Sequence, residues 1–514
     1  MRISSKGSTF LSIDRATAGL AVLGLASALL FWAAFVRLYS LDALLPRPGL
    51  SISKLSRDPR TGLLYFGAFA ALFELYLLGA LAAARARGRA AWVIVAAGAV
   101  LSSLLLLRLY PIDATDIFDY IMFGRVVAVH GANPFYTPPA HFPNDPVLPY
   151  AGWSGSTTGY GPLWTLLSAA MSRLALQLGD SLLVQVLIYK LSAVAAAATT
   201  ALLIAAILRR EAPERALLGV YLWSWNPLQL FVTAGNGHND SVMVAPMLLS
   251  LWLVGRRRWS AAVLAALAGA LVKFIPVLLV PLLGIVALRQ LQGRARWRFI
   301  VTTAAGAGVL IGAAFAPFWR GGDMLILSSR AHLFTTSLPA WLWSLSDPRW
   351  NNNQVQAMLL RAALFTLAVA ELLALWLVWR RPTLLGLAQA ATALLLFYLL
   401  AAIAWFQPWY AIWPLALAAL LPDGPLRPVS LLLTFAVTWK APLFEYVLAP
   451  PGKPLPTARW WEGRLFPIIL GPVWLVWILD LASWMAARLP PAGRRAGPGA
   501  GAVPRRWPLH GRVR

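Results

Sequence analysis

The feature that most constrains this chain is the recurrence, from end to end, of apolar runs roughly 20 residues long, the length a helix needs to cross a bilayer. Hydrophobic residues make up 59% of the sequence and charged residues only 12%, whereas soluble domains average about 25% charged residues. The first run, at residues 16–39, is too long for a signal-peptide core and lacks a small-residue cleavage site. The sequence therefore predicts an all-α polytopic membrane protein.

The basic residues are concentrated in short loops between the apolar runs, and they give the chain a formal net charge of +25. In a soluble protein such an excess would indicate nucleic-acid binding. Here it has the pattern of loops on the cytoplasmic face of a membrane, so membrane lipids are expected partners and nucleic acid is not. The chain has no cysteine, which excludes disulfides, thiolate metal sites and cysteine nucleophiles.

Counting crossings between basic loops predicts one apolar segment that does not span the membrane. The loops at residues 85–89 and 209–215 should both be cytoplasmic, which requires an even number of crossings between them. Three apolar segments separate these loops, at residues 90–109, 161–178 and 182–208. Residues 161–178 are therefore predicted to lie along the outer surface or to dip into it, with Trp164 at the interface.

The same count fails for a single apolar run between the basic loops 255–258 and 289–298, which should both be cytoplasmic. Lys273 and Pro276 interrupt this run. We predict two short helices that enter the membrane and return, with Lys273 near the turn, because irregular backbone at membrane depth is tolerated only where it lines a protein-enclosed cavity. Regular spans are predicted after it, at residues 299–318, 355–379, 384–404, 409–421, 429–447 and 466–487.

The hexapeptide GNGHND, residues 235–240, lies between two predicted spans at residues 216–233 and 241–254 and is placed on the outer side. Asn, Gly and Asp commonly form turns, and the aspartate could simply cap the helix that follows. A turn does not need so many hydrogen-bonding side chains, so these residues are predicted to bind a ligand. They are Asn236, His238, Asn239 and Asp240.

Ionisable groups beside the membrane are the candidates for chemistry. Asp113, Asp116 and Asp119 follow the third span at spacings of three, which would place them on one side of a helix. The pattern fits a carboxylate that accepts a proton, with solvated loop acids or helix-start residues as the alternative. Lys273 should face an internal cavity or a partner, and its compact cation suits a phosphate; snorkelling toward the interface is the alternative.

Arginine, histidine and aromatic residues complete the set of candidates. Arg125, Arg330 and His332 are predicted to contact a donor. The segment WFQPWY, residues 405–410, could form an interfacial aromatic belt and could also stack on sugar rings. The residues predicted to contact an acceptor or lipid are Tyr160, Trp164, Trp405, Gln407, Trp409 and Tyr410. The sequence contains no HExxH, no GxSxG and no phosphate-cradling nucleotide loop.

Six motifs in one order resemble those of GT-C glycosyltransferases, and in particular those of bacterial polyprenol-phosphomannose-dependent α-(1→6)-mannosyltransferases. The motifs are DIFDY with Asp116, GANPFYTPP, GYGPLW, WNPLQLFVTAGNGHND, the lysine of ALVKFIPVLLVPLL, and QPWYAIWPL. The resemblance covers roughly residues 90–414, most of the chain.

The resemblance implies a GT-C fold with about 13 to 14 transmembrane helices and a long extracytoplasmic loop that carries juxtamembrane helices. It implies an inverting enzyme that transfers a hexose, mannose, from a polyprenyl-phosphate donor to a glycan or glycolipid acceptor. Asp116 matches the family's catalytic base, whereas Asp119 stands where relatives often carry serine. GNGHND matches a family motif that lines the sugar-phosphate pocket. No metal ligand is assigned, although the acids leave a divalent metal possible.

The apolar runs, the basic loops and the resemblance together predict four regions and a location. Residues 1–89 form an N-terminal two-span region, and residues 90–318 a GT-C catalytic module with an extracytoplasmic loop at 110–179. Residues 319–487 form a C-terminal membrane region with an outer loop at 319–354, and residues 488–514 a disordered basic cytoplasmic tail. The expected location is the bacterial inner membrane, with an extracytoplasmic active site.

Three other functions compete with this prediction. A lipid-linked sugar transporter or flippase would move a similar substrate, but transporters tend to show inverted repeats and ionisable residues at the midplane. An oligosaccharide polymerase or ligase would also use outer loops. A structural partner subunit would not need the combination of aspartate, histidine and lysine found here.

Overall fold

The structure is a computed structural model that describes residues 14–49, 51–322 and 333–486. Within these ranges the chain is helical and contains no β-sheet, and its only β-type pairings are two isolated bridges. The longer helices, in chain order, are α1 (Arg15–Phe31), α2 (Pro59–Arg85), α3 (Gly88–Leu107), α4 (Asp116–Ala128), α5 (Pro162–Gln177), α6 (Leu182–Glu211), α7 (Ala216–Ser224), α8 (Asp240–Gly255), α9 (Trp259–Val272), α10 (Leu279–Gln290), α11 (Gly293–Phe315), α12 (Leu338–Leu345), α13 (Asn352–Arg380), α14 (Leu384–Phe397), α15 (Ile412–Ala418), α16 (Leu426–Ala436), α17 (Ala458–Ile469) and α18 (Gly471–Ala486).

Nine helical segments in the described residues are long and apolar enough to cross a membrane, and three shorter apolar helices accompany them. The protein is therefore an all-α, multi-pass membrane protein, as the apolar runs predict. Helix α5, which the charge pattern places along the surface, is not among these segments. The number of crossings and the side of each loop stay predictions, and the predicted tail at 488–514 lies outside the described residues.

The N-terminal helices form a scaffold for the segment that precedes GNGHND. Phe231 packs its ring 5.1 Å from the rings of both Phe35 and Phe69. Trp225 fills a slot between α1 and α3. The slot exists because Gly24 and Gly98 have no side chain; a Cβ atom at either position would lie within 2.4 Å of the indole ring. Small residues that admit a large partner are typical of close helix packing in membranes. The first three helices thereby fix the approach to the GNGHND loop, called the polar loop below.

The predicted break at Lys273 is confirmed. Helix α9 ends at Val272, Lys273 has extended backbone, and a 3₁₀ turn at Ile275–Leu278 leads into α10. Residues 110–179, predicted to form the extracytoplasmic loop and called the outer segment below, dock on this break, since the Gly161 N–H donates to the Val272 carbonyl at 3.0 Å. A Cβ atom at Gly161 would lie 2.0 Å from the Leu271 carbonyl oxygen, so only glycine allows this contact.

Two predicted spans are shorter or more broken than the sequence suggested. The run at 216–233 divides into α7, a short helix at Pro227–Leu230 and a π-helical turn at Phe231–Gly235. The run at 409–421 begins with a 3₁₀ turn at Pro408–Ala411 and contains only the seven residues of α15. Prolines explain both differences, because they remove a backbone donor and favour the first turn of a new helix.

Candidate active site

The GNGHND loop is held by turn chemistry on its N-terminal side. The Asn226 side chain accepts a hydrogen bond from the Gln229 N–H at 3.1 Å, which caps the helix that begins at Pro227. The π-helical turn then delivers the chain to Gly237, whose φ of +72° is a conformation that favours glycine. Every residue from 235 to 240 is buried, so the loop is an interior structure.

Gly237 is also the point where the loop meets two other elements. A Cβ atom there would lie 2.5 Å from Ile117 Cδ1 and 3.2 Å from Lys190 Cγ. Ile117 directly follows Asp116 in α4, and Lys190 belongs to α6. Because residue 237 has no side chain, the polar loop can approach the start of α4, which carries Asp116 and Asp119 and is called the acidic helix below.

Several polar atoms of this loop are buried and have no hydrogen-bond partner among the residues that the structure describes. They are both side-chain polar atoms of Asn236, Nε2 of His238, Nδ2 of Asn239 and Oδ2 of Asp240. Buried polar groups in proteins are nearly always paired, and each unpaired group costs about 1–3 kcal/mol. A binding site for a polar ligand would explain five such atoms within five residues, because the ligand would supply the missing partners.

Asp240 is the electrostatic centre of the loop. Its Oδ1 accepts hydrogen bonds from Lys273 Nζ at 2.8 Å and from Trp413 Nε1 at 2.7 Å. Asp240 occupies the first turn of α8, but its side chain points to these partners and makes no capping contact. The alternative that it merely caps a helix is therefore not what the structure shows.

Lys273 lies in an aromatic environment. Its Nζ lies 4.5 Å from the centre of the Tyr410 ring and 5.4 Å from that of Trp413. The rings of Tyr410 and Trp413 stack with centroids 4.4 Å apart. Such faces stabilise a cation, and the lysine side chain retains 15% exposure. The lysine therefore faces protein partners, as an embedded cation at a functional site is expected to do.

The WFQPWY segment contributes directly to the site. The Trp409 ring stacks on the His238 ring with centroids 3.9 Å apart and an interplanar angle of 19°. Gln407 Oε1 accepts a hydrogen bond from Lys440 Nζ at 3.0 Å. Trp405, half-buried, lies with its ring 5.8 Å from that of Trp153 in the outer segment. The segment thus joins the C-terminal region to the polar loop.

Tyr120 connects the acidic helix with the polar loop. Its hydroxyl donates to Asn239 Oδ1 at 3.2 Å and lies 3.5 Å from His238 Nδ1. The Tyr120 ring is edge-on to those of Tyr160 and Trp164, at centroid distances of 5.0 and 5.2 Å. Tyr160 and Trp164, both predicted to contact an acceptor or lipid, therefore lie against the tyrosine that contacts the polar loop.

The three acids occupy different environments. Asp116 begins α4 and its side chain is partly exposed. Asp119 is buried, and its Oδ1 accepts the Trp153 N–H at 2.8 Å. Asp113 precedes the helix and accepts a hydrogen bond from the Tyr65 hydroxyl. Burial raises the pKa of Asp113 to about 7, although the bond from Tyr65 acts in the opposite direction.

Arg125 is placed among carboxylates. Its Nε lies 3.0 Å from both carboxylate oxygens of Asp145, and its Nη1 lies 2.7 Å from Asp180 Oδ1. His130 Nε2 lies 2.7 Å from Asp145 Oδ2 on the other side. Through these ion pairs Arg125 connects α4 to the rest of the outer segment. Its predicted contact with a donor stays a prediction.

Two predicted donor contacts cannot be placed, because Arg330 and His332 lie outside the described residues. Within residues 14–49, 51–322 and 333–486, no group of three or more His, Asp or Glu side chains is arranged to hold a metal ion.

Three residues of the site were not among the candidates from the sequence. Trp413 belongs to QPWYAIWPL, and Tyr120 to DIFDY, so both stood inside recognised motifs. Lys190 carried no comparable signal beyond a lone charge in an apolar helix. Its Nζ donates to the Leu109 carbonyl and lies 3.3 Å from that of Leu107, where it holds the end of α3.

Comparison with known proteins supports the motif-based prediction. Residues 17–289, just over half of the chain, match the family model described as alpha-(1→6)-mannopyranosyltransferase, N-terminal domain. Alpha-(1→6)-mannopyranosyltransferase A of Mycobacterium tuberculosis is 26% identical over 367 residues, 66% of this chain and 67% of that protein. The protein of the same name from Corynebacterium glutamicum is 26% identical over 154 residues, which are 30% of each chain. The chain therefore belongs to the alpha-(1→6)-mannopyranosyltransferase family.

Proposed function

We propose that this protein is an inverting membrane mannosyltransferase. It transfers mannose from a polyprenyl-phosphate carrier to a glycan or glycolipid acceptor on the extracytoplasmic face of a bacterial inner membrane. The observation that carries this proposal is the group of buried, unpaired polar atoms at residues 236–240 beside the cation of Lys273. A sugar phosphate offers hydroxyl groups to the amides and imidazole and a negative charge to the lysine.

The donor phosphate is assigned to Lys273. A lipid phosphate leaves with its negative charge, so it needs a preorganised cation more than an acid. Asp240 and the rings of Tyr410 and Trp413 hold the ammonium in place. The amide of Asn236 and His238 Nε2 then remain to bind the sugar.

The catalytic base is assigned to Asp116. General-base catalysis requires a carboxylate that can reach an acceptor hydroxyl, and the partly exposed Asp116 meets this requirement better than the buried Asp119. The contact of Asp119 with the Trp153 backbone suits a positioning role, because Trp153 packs against Trp405. Asp119 thereby orders the aromatic surface where an acceptor sugar would stack.

The proposed step balances without a cofactor. Asp116 takes the proton of the acceptor hydroxyl, and the acceptor oxygen forms a bond to the anomeric carbon. The bond between that carbon and the phosphate oxygen breaks, and the polyprenyl phosphate keeps the electron pair. Attack opposite the leaving group inverts the anomeric configuration.

A transfer assay tests the function. Purified protein is incubated with radiolabelled polyprenyl-phosphomannose and a synthetic alkyl mannoside, and with GDP-mannose in place of the lipid donor as the control. We expect mannose in the product only with the lipid donor. A protein that moves the lipid donor across vesicles without transferring its sugar would be a flippase, and this result would overturn the proposal.

Cysteine labelling tests the proposed face. The chain has no native cysteine, and two residues are exposed: Asn144, before α5, and Gln177, at the C-terminal end of α5. Asn144→Cys and Gln177→Cys should both react with an impermeant reagent applied from outside the cell. Labelling of only one of them would mean that α5 crosses the membrane and that the proposed topology is wrong.

A further inference from the structure

A groove of about 630 Å³ lies apart from the candidate active site, between α5 and the segment that follows α11. Its lining includes Asn133, in the loop that follows α4. Residues 317, 318 and 320 form its far wall. This wall is fixed in place: Asn133 Nδ2 donates to the Phe318 carbonyl at 2.7 Å, and the Phe318 ring lies 5.3 Å from that of Phe135. The groove is therefore a built feature of the outer segment.

The charge of the groove is positive. Arg173 of α5 and Arg320 of the far wall both line it, and no acidic residue does. In the part of the chain that the structure describes, neither guanidinium pairs with a carboxylate. Asn133 and Gln177 add neutral polar groups to the lining. Guanidinium groups in such a setting are suited to a phosphate.

The surroundings of the groove are apolar and lie where a span ends. Helix α11 is a candidate membrane span that ends at Phe315, two residues before the groove wall begins. Leu174, which lines the groove, is 45% exposed, and Leu178 at the end of the same helix is 59% exposed. Trp319 is 52% exposed, and tryptophan is enriched at membrane–water interfaces. Lipid headgroups lie at this level of a bilayer.

We propose that this groove binds the phosphodiester headgroup of an anionic phospholipid, with Arg173 and Arg320 on the phosphate and the leucines of α5 along the acyl chains. The site is independent of the proposed transfer reaction, since none of its residues belongs to the candidate active site. A free phosphate would gain nothing from the exposed leucines, which is why a membrane lipid is the occupant chosen.

Native mass spectrometry of protein purified in a neutral detergent and titrated with phosphatidylglycerol tests the proposal. Arg173→Gln and Arg320→Gln should each weaken binding about fivefold, and the double variant about 25-fold, because a basic residue near a lipid surface contributes about 1 kcal/mol. Ala170→Phe, which fills the groove from an exposed position without changing its charge, should also weaken binding. Arg349→Gln removes an exposed arginine outside the groove and should bind as the wild type does.

Unchanged phosphatidylglycerol binding in the double variant, or an equal loss in Arg349→Gln, would overturn the proposal. So would displacement of phosphatidylglycerol by undecaprenyl phosphate at a lower concentration, because the groove would then belong to the carrier lipid. If the double variant folds poorly, Arg173→Lys and Arg320→Lys keep the charge and should retain most of the binding; a loss of binding in these well-folded variants would count against the proposal.

Discussion

Two lysines in this protein, Lys273 partly buried and Lys190 fully buried, show how the partners of a charge decide what the charge does. Lys273 lies at a helix break, pairs with the Asp240 carboxylate and faces two aromatic rings. Lys190 lies within α6 and is fully buried, and its Nζ donates to backbone carbonyls at and just beyond the end of α3. The first arrangement leaves a cation beside buried polar atoms that have no partner among the described residues, whereas the second uses the cation to hold a helix end.

The two lysines are nevertheless parts of one arrangement. Lys190 holds the end of α3, from which the chain continues directly to Asp113 and Asp116, and its side chain packs beside Gly237. Lys273 acts on the other side of the polar loop through Asp240. We infer that Lys190 sets the distance between the acidic helix and the loop, while Lys273 acts on the ligand itself.

The largest effect on stability is expected from breaking the Lys273 pair. Lys273→Met leaves the fully buried Asp240 with Trp413 as its remaining donor, and such unpaired buried charges cost about 3–5 kcal/mol of unfolding free energy. Lys273→Met combined with Asp240→Leu should recover most of that stability, because no unpaired charge is left. Thermal unfolding in detergent measures the stability.

Among these variants, recovery of stability should not bring recovery of donor affinity. The double variant should keep a raised KM for the lipid-phosphate donor, while the KM for the acceptor changes little. Recovery of donor affinity together with stability would show that Lys273 is only structural, and the contrast with Lys190 would disappear.

A smaller effect is expected at Lys190. Lys190→Met leaves buried carbonyls at the end of α3 without their donor, at a cost of about 1–3 kcal/mol. Because the acidic helix would then be less well placed, kcat should fall while the KM for the donor stays near the wild-type value. Lys190→Arg, which can still donate to the carbonyls, should restore part of kcat.

A raised donor KM with an unchanged kcat in Lys190→Met would place Lys190 in the donor site beside Lys273. The steady-state kinetics of the two lysine variants, measured in parallel, therefore decide whether their roles differ.

The smallest effect is expected at Gly237, where the loop meets both Ile117 and Lys190. Gly237→Ala places a side chain at φ +72°, which costs about 1–2 kcal/mol, and presses its Cβ onto Ile117 Cδ1. Adding Ile117→Val removes that methyl group and should recover part of kcat and of the melting temperature. No recovery in the double variant would mean that the close approach to α4 does not matter.

The sequence located the helix break and the buried polar loop, because charged and polar residues interrupt an apolar pattern at both places. Lys273 stands next to Pro276 between two basic loops, so counting crossings located the break before any contact was known. The polar residues at 236–240 were visible for the same reason, because they interrupt two apolar runs.

The sequence could not predict contacts that depend on distant elements. Lys190 lies within a regular helix, and its acceptors are more than 80 residues earlier in the chain. The pairing of Arg125 with Asp145 and Asp180 depends on how the outer segment folds back on α4. The short helix at Ile412–Ala418 replaced a predicted span because Pro408, which begins the preceding 3₁₀ turn, and Pro414 within the helix outweigh its apolar composition.

The central claim is that Asp116 is the base that acts beside the sugar-phosphate loop, and the turnover of Asp116→Asn tests it most directly. Asparagine keeps the size of the side chain but removes its basicity, so kcat should fall by about 10²–10⁴-fold while donor binding and folding persist. Asp113→Asn is the matched control, because the Asp113 side chain accepts a hydrogen bond from Tyr65. Its kcat should fall far less, and that of Asp119→Asn by an intermediate amount. Near-normal turnover in Asp116→Asn, with Asp113→Asn or Asp119→Asn inactive, would contradict this account.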